Sequence, residues 1–198
     1  MKNLRYLKPI FSFFLIGLSI TTISRILLFF VFKDRVVENQ NFGQLFLIGL
    51  RFDLILMCYI AFLPTVLISL LPDSVLKHFK KFFNIYFIFF LFLFLLMELS
   101  TLDFINQYDT RPNRLFLDYL IYPKEVVGTL LKSYLPSLII TTILLGIALF
   151  FAFKHGKKIF YPFDSTYKTK LLLFPLVAFF SFFGARGSLT SKRPINAS

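Results

Sequence analysis

Four ionisable residues interrupt otherwise apolar runs of this chain: Arg25, Arg51, Asp53 and Glu98. Charge in such runs is costly in lipid, so these residues face one another, water or a functional path. Arg51 and Asp53 are two apart, about 200° around a helix axis, so they cannot pair with each other. Each must find a neighbour on another element. A second group follows in a more polar stretch: Arg111, Asn113 and Arg114. Two arginines three apart on a turn or helix can grip a phosphate through bidentate hydrogen bonds. The competing reading is a solvated pair, or a contact with Asp109 or Asp118.

Other reactive side chains stand alone. Cys58 is the single cysteine, so it forms no intrachain disulfide, and no metal-ligand spacing surrounds it. It reads as a small apolar residue. His78 and His155 sit among lysines without metal spacing and read as solvated. Asn196-Ala197-Ser198 matches a glycosylation sequon of high chance frequency, and Gly184-Ala185-Arg186-Gly187-Ser188 lacks the length and lysine of a phosphate loop. No activated nucleophile, paired catalytic carboxylates or metal cluster is recognisable, so no catalytic, cofactor or metal residue is assigned within the chain.

The elements that must position these groups follow from composition. Of 198 residues, 57% are hydrophobic and 16% charged, and mean hydropathy is +0.75. A soluble domain of this size has too little interior for that much apolar surface. The 30 Phe, with no Trp and lysine in excess of arginine, reflect a codon preference as much as structure, and no aromatic cage is read from them. The net charge of +12 would suggest nucleic acid in a soluble protein. Here the basic residues flank apolar runs, where they meet anionic headgroups, and no basic motif with stacking aromatics is present.

A spanning helix needs about 20 apolar residues. The pattern predicts an all-α membrane protein with five spans, at about 10–32, 45–71, 82–102, 135–153 and 171–185. The first is too long for a signal-peptide core and is followed by Lys33-Asp34-Arg35, not a cleavage site. Pro72 ends the second. The fifth is short and contains Pro175, and Lys170 could snorkel to lengthen it.

With the amino terminus inside, the inner segments hold 11 Lys and Arg and the outer segments nine, while six acids lie outside against two inside. Lysine and arginine bias sets orientation, so the amino terminus is expected in the cytoplasm and the carboxy terminus outside. Depth then follows from the rise per residue: from the outer ends of their spans Arg25 lies at about 10 Å, Arg51 at about 9 Å, Asp53 at about 12 Å and Glu98 at about 6 Å. All four gather in the outer half. The expectation is an interhelical polar cluster that opens toward the outer loop, with ion pairing that only fixes helix packing as the alternative.

That outer loop, 103–134, carries an amphipathic segment. Val126, Val127, Leu130, Leu131 and Tyr134 fall on one helical face, and Lys124, Glu125, Thr129 and Lys132 on the other. This is the pattern of a helix lying in the membrane interface, the alternative being a helix packed on the outer ends of the protein itself. Residues 186–198 read as an extended extracytoplasmic linker.

Three segments together carry a resemblance. They are Gly49-Leu50-Arg51-Phe52-Asp53; Glu98 to Tyr134, with Asp103-Phe104, Gln107-Tyr108, Arg111-Pro112-Asn113-Arg114, Tyr119-Leu120-Ile121-Tyr122-Pro123-Lys124-Glu125-Val126 and Ser133-Tyr134; and Arg186-Gly187-Ser188-Leu189 with Arg193-Pro194-Ile195-Asn196. Their order and spacing resemble the membrane part of bacterial lipoteichoic acid synthase-like proteins, the sulfatase-related phosphoglycerol transferases, in the variant of Gram-negative bacteria.

The resemblance implies five helices in the inner membrane, a linker, and an extracytoplasmic catalytic domain. That domain carries a threonine nucleophile and a divalent metal, Mn or Mg. It implies a phospholipid as partner and transfer of phosphoglycerol or a related headgroup. No position here matches the nucleophile or metal ligands, so those roles are not carried over. The expected role is anchoring and headgroup positioning, the catalytic domain being missing through truncation, frameshift or cutting. The chain alone is then expected to be inactive. The alternative is a stand-alone scaffold or lipid-binding partner of a separate catalytic subunit. A small transporter is disfavoured, because the inner halves of the helices carry almost no charge.

Overall fold

The structure is a computed structural model that describes residues 2–33, 42–112, 118, 121–161 and 167–186. A 3-10 turn, Lys2–Leu7, leads into α1 (Lys8–Val31). Then come α2 (Phe42–Leu70), α3 (Asp73–Tyr108), α4 (Pro123–Ser133), α5 (Leu135–Phe160) and α6 (Tyr167–Arg186). Prolines mark several starts, where a missing N–H costs nothing. Pro9, Pro123 and Pro136 lie in the first turns of α1, α4 and α5, and Pro72 is the extended residue from which α3 begins.

Among the described residues five helices are long and apolar enough to cross a membrane: Arg5–Val31, Phe46–Leu70, Asp73–Tyr108, Leu135–Phe160 and Tyr167–Gly184. The chain is an all-α, multi-pass membrane protein. Its outer surface agrees, with Leu172 80% exposed and Phe11 76%, an apolar exterior that only lipid would leave uncovered.

The helices differ in extent from the apolar runs. The third run, read at 82–102, lies within a helix of 36 residues, and the fourth, read at 135–153, continues to Phe160. Hydropathy marks only the hydrocarbon-crossing part, whereas helical hydrogen bonding continues through polar flanks. His78 and His155 thus lie in helices. Asp103 to Tyr108, read as loop, close α3. The fifth helix also starts earlier, at Tyr167, and Lys170 does not snorkel: it is fully buried and paired with Asp73 of α3.

Neighbouring helices alternate in direction. Lys8 Nζ at the start of α1 donates to the Lys158 carbonyl near the end of α5, at 3.3 Å. Lys170 at the start of α6 meets Asp73 at the start of α3 and lies over the Tyr6 ring, 5.8 Å from its centroid. One end of the bundle, the amino-terminal end, therefore collects the starts of α1, α3 and α6. Within the bundle α2 packs most extensively on α6 and α3 on α5, while α1 lies between, against α2, α3 and α5.

Phenylalanine rings hold the centre. Phe13 of α1 lies 5.1 Å from Phe87 and 6.0 Å from Phe94, and Phe87 lies 5.5 Å from Phe160 of α5. Small residues let the axes approach, as in other membrane bundles. A side chain at Gly17 would meet Met57, one at Gly184 would meet Cys58, and one at Gly156 would come within 2.5 Å of Asn84 Oδ1. Pro64 sits inside α2 and withholds the N–H that would bond the Ile60 carbonyl. Tyr86 of α3 replaces it, its hydroxyl donating to Ile60 O at 2.8 Å.

A candidate polar site between three helices

The far end of the bundle, opposite the amino-terminal end, is built on the doublet Ser24-Arg25 in the last third of α1. Arg25 Nη2 donates to Asp53 Oδ2 of α2 at 2.5 Å, with the two side chains 11% and 13% exposed. The neighbouring Ser24 hydroxyl donates to Glu98 Oε2 of α3 at 2.6 Å. One turn of α1 thus ties α2 on one side and α3 on the other. A buried charge needs such partners, because an isolated one is heavily penalised in a low dielectric.

Gly49 makes the arrangement possible. A Cβ there would lie 2.7 Å from Cζ, Nε and Nη2 of Arg25, so the glycine supplies the space that the guanidinium fills. Asp53 follows one turn later on the same face of α2. The glycine and the aspartate of Gly49-Leu50-Arg51-Phe52-Asp53 therefore serve a single contact. Arg51, on another face, is exposed.

The segment after α3 adds a fourth group. Asp109 takes a left-handed conformation at φ 54°, and its N–H bonds back to Ile105 O at 2.9 Å. Aspartate tolerates this C-terminal cap better than most residues. The reversal brings Arg111 back along α3, where Nη2 stands 3.4 Å from Glu98 Oε2. Arg111 is thus held to Glu98, a partner the sequence reading did not consider when it weighed Asp109 and Asp118. It is also the open member of the cluster, with its side chain 42% exposed against 13% for Glu98. Asn113 and Arg114 lie outside the described residues, as does 187–198 of the expected linker.

Two further contacts brace the site. Asp103 of α3 accepts a short hydrogen bond from the Ser137 hydroxyl of α5. Tyr134, between α4 and α5, donates to Gln107 Oε1 at 3.1 Å. Asp103 and Gln107 are one turn apart, so the polar end of α3 fastens the junction from which α4 projects. Val126 and Leu130 of α4 are half-buried, while Val127 and Leu131 are each 52% exposed beside exposed Lys124 and Lys132.

Ser24, Gly49 and Ser137 were missed as site residues. A serine beside an intramembrane arginine is a usable signal for Ser24, but space for a guanidinium and a partner across α5 have no linear signature. Chemically, the cluster sets two arginines against two carboxylates, so it is neutral in sum. Its Arg25–Asp53 pair is closed, whereas in the Glu98–Arg111 pair the guanidinium stays accessible.

No protein-family model matches the chain, and no solved structure matches it.

Proposed function

We propose that this bundle is the membrane part of a phosphoglycerol-transferase system. In this reading it holds a phospholipid headgroup at the outer face of the bacterial inner membrane, beneath a catalytic domain of the kind the resemblance implies. The amino terminus is cytoplasmic and the polar cluster lies toward the outside. The observation that carries the proposal is the exposed Arg111 guanidinium on Glu98, at 3.4 Å, above a closed Arg25–Asp53 pair. An anionic headgroup can take over the outer guanidinium while the inner pair keeps the helices in place. The amphipathic α4 beside it suits a position in the headgroup layer, and of the segments that carry the resemblance Gly49–Asp53 falls on α2 and Glu98–Tyr108 and Pro123–Ser133 on α3 and α4.

The chemistry of transfer is not assigned to this bundle. Among the described residues no group of three His, Cys, Asp or Glu could hold a metal ion. The divalent metal that the resemblance implies belongs, in this reading, with the catalytic domain.

The test is a phosphatidylglycerol whose headgroup carries a photoreactive label, applied to the chain in vesicles. Label is expected in the Glu98–Arg111 segment and in α4, reduced about tenfold by Arg111→Gln, as loss of one charge-assisted contact predicts. Absence of label from this end would sink the proposal. The chain with Mn or Mg and phosphatidylglycerol is expected to release no headgroup, and turnover would equally overturn the division of labour.

A further inference from the structure

A second feature begins in the middle of the bundle and runs toward its amino-terminal end. A cleft of about 320 Å³ opens between α1, α3 and α5, at the lower end of the size range of ligand pockets. Ile16 and Ile20 of α1, Ile88 and Leu95 of α3, and Ala148 and Ala152 of α5 form its walls. The two alanines are one turn apart, and their small side chains leave the groove open where α5 faces α1. From Ala148 to Ile159 the lined stretch of α5 runs about 16 Å. Its walls are almost purely apolar, and it runs along membrane-spanning helices.

The amino-terminal end of this groove is basic. His155 lines it. Lys158 follows one turn later on α5, and Lys8 Nζ of α1 reaches to 3.3 Å from the Lys158 carbonyl. Lys154 and Lys157 flank them on α5, and Lys77, Lys80 and Lys81 lie in the first turns of α3 at this same end. The acid described here, Asp73, is engaged by Lys170. An apolar groove that ends among cations matches one chemical class: an amphiphile with a hydrocarbon chain and an anionic head. Juxtamembrane lysines attract anionic lipid at about 1 kcal/mol each.

We infer that the α1–α3–α5 cleft holds one acyl chain of an anionic phospholipid, with its phosphate gripped by Lys8, His155 and Lys158. The residues that would hold the head are distinct from the polar cluster, at the amino-terminal end of the bundle. It therefore stands or falls independently of the transferase reading.

The full chain, purified in detergent and loaded with equal phosphatidylglycerol and phosphatidylcholine, is examined by native mass spectrometry. One retained phosphatidylglycerol is expected, preferred over phosphatidylcholine. The K8Q/K158Q double variant is expected to lower that preference about tenfold or more, and K8R/K158R to keep it. Ala152→Phe, which fills the groove, is expected to remove the retained lipid while helicity by circular dichroism is unchanged. If that variant unfolds, the charge variants still decide. Equal retention of both lipids, or a preference indifferent to K8Q/K158Q, would mean only bulk lipid contact and would overturn the inference. Displacement by soluble glycerol phosphate as effective as by phosphatidylglycerol would also overturn it, since the cleft would then contribute nothing.

Discussion

At the scale of single residues, the far-end cluster turns on what each charge would do without its partner. Asp53 is 13% exposed and faces Arg25. Asp53→Asn leaves the guanidinium buried without a counter-ion, and breaking such a pair typically costs about 3–5 kcal/mol. The expected outcome is a loss of that order in reversible unfolding in mild micelles. Arg25→Met alone should cost a similar amount, while the R25M/D53L double variant should recover most of it, because both desolvation penalties vanish together. Additive losses would show that the two charges do not depend on each other. Much of this was open to the sequence. The depths of Arg25 and Asp53 match within about 2 Å when counted from helix ends, and the 200° offset already separates Arg51 from Asp53. The role of Gly49 was not open, because space for a guanidinium is a property of two crossing helices.

At the scale of elements, α2 has a defect that α3 repairs. Pro64 withholds an N–H from Ile60 O, and Tyr86 supplies a hydroxyl at 2.8 Å. In water a freed carbonyl would be hydrated, but in a membrane it needs a protein donor. Tyr86→Phe is therefore expected to destabilise the bundle by about 1–2 kcal/mol. In a Pro64→Ala background the same change should cost little, since the helix regains its own bond. Equal cost in both backgrounds, measured by the same unfolding assay, would show that Tyr86 acts only through packing. The elements themselves were largely legible. Five apolar runs gave five helices, and α4 was visible from its amphipathic pattern. Their lengths were not, because α3 and α5 continue as helix through Lys77, Lys80 and Lys81 and through Lys154, Lys157 and Lys158.

At the scale of the whole molecule, the bundle has two unlike ends. One carries Lys8, Lys158 and the buried Lys170–Asp73 pair, and the other carries the Arg25, Asp53, Glu98 and Arg111 cluster. Single cysteines introduced at Lys157 and at Thr110, with Cys58 replaced by Ser, should react with a membrane-impermeant thiol reagent from opposite sides of sealed vesicles. The position at Lys157 is expected on the cytoplasmic side, following the lysine and arginine bias. Labelling of both from one side would contradict the alternation of the spans. The two ends also separate the two lipid readings, a headgroup at the Arg111 end and an acyl-chain site at the Lys158 end.

The sequence by itself determined that this chain belongs in a membrane and roughly where it crosses. Those properties depend on summed hydrophobicity along about 20 residues, which is local. It also determined that Arg25, Asp53 and Glu98 must find partners, because unpaired charge is too costly at that depth. Only the tertiary structure decided which partners. Ser24 binds Glu98, Arg111 turns back onto the same carboxylate, and Lys170 is buried on Asp73. These pairings depend on which helices are neighbours and how closely they cross. Crossing distance is set by residues such as Gly17, Gly156 and Gly184, whose effect appears only once a second helix lies against them.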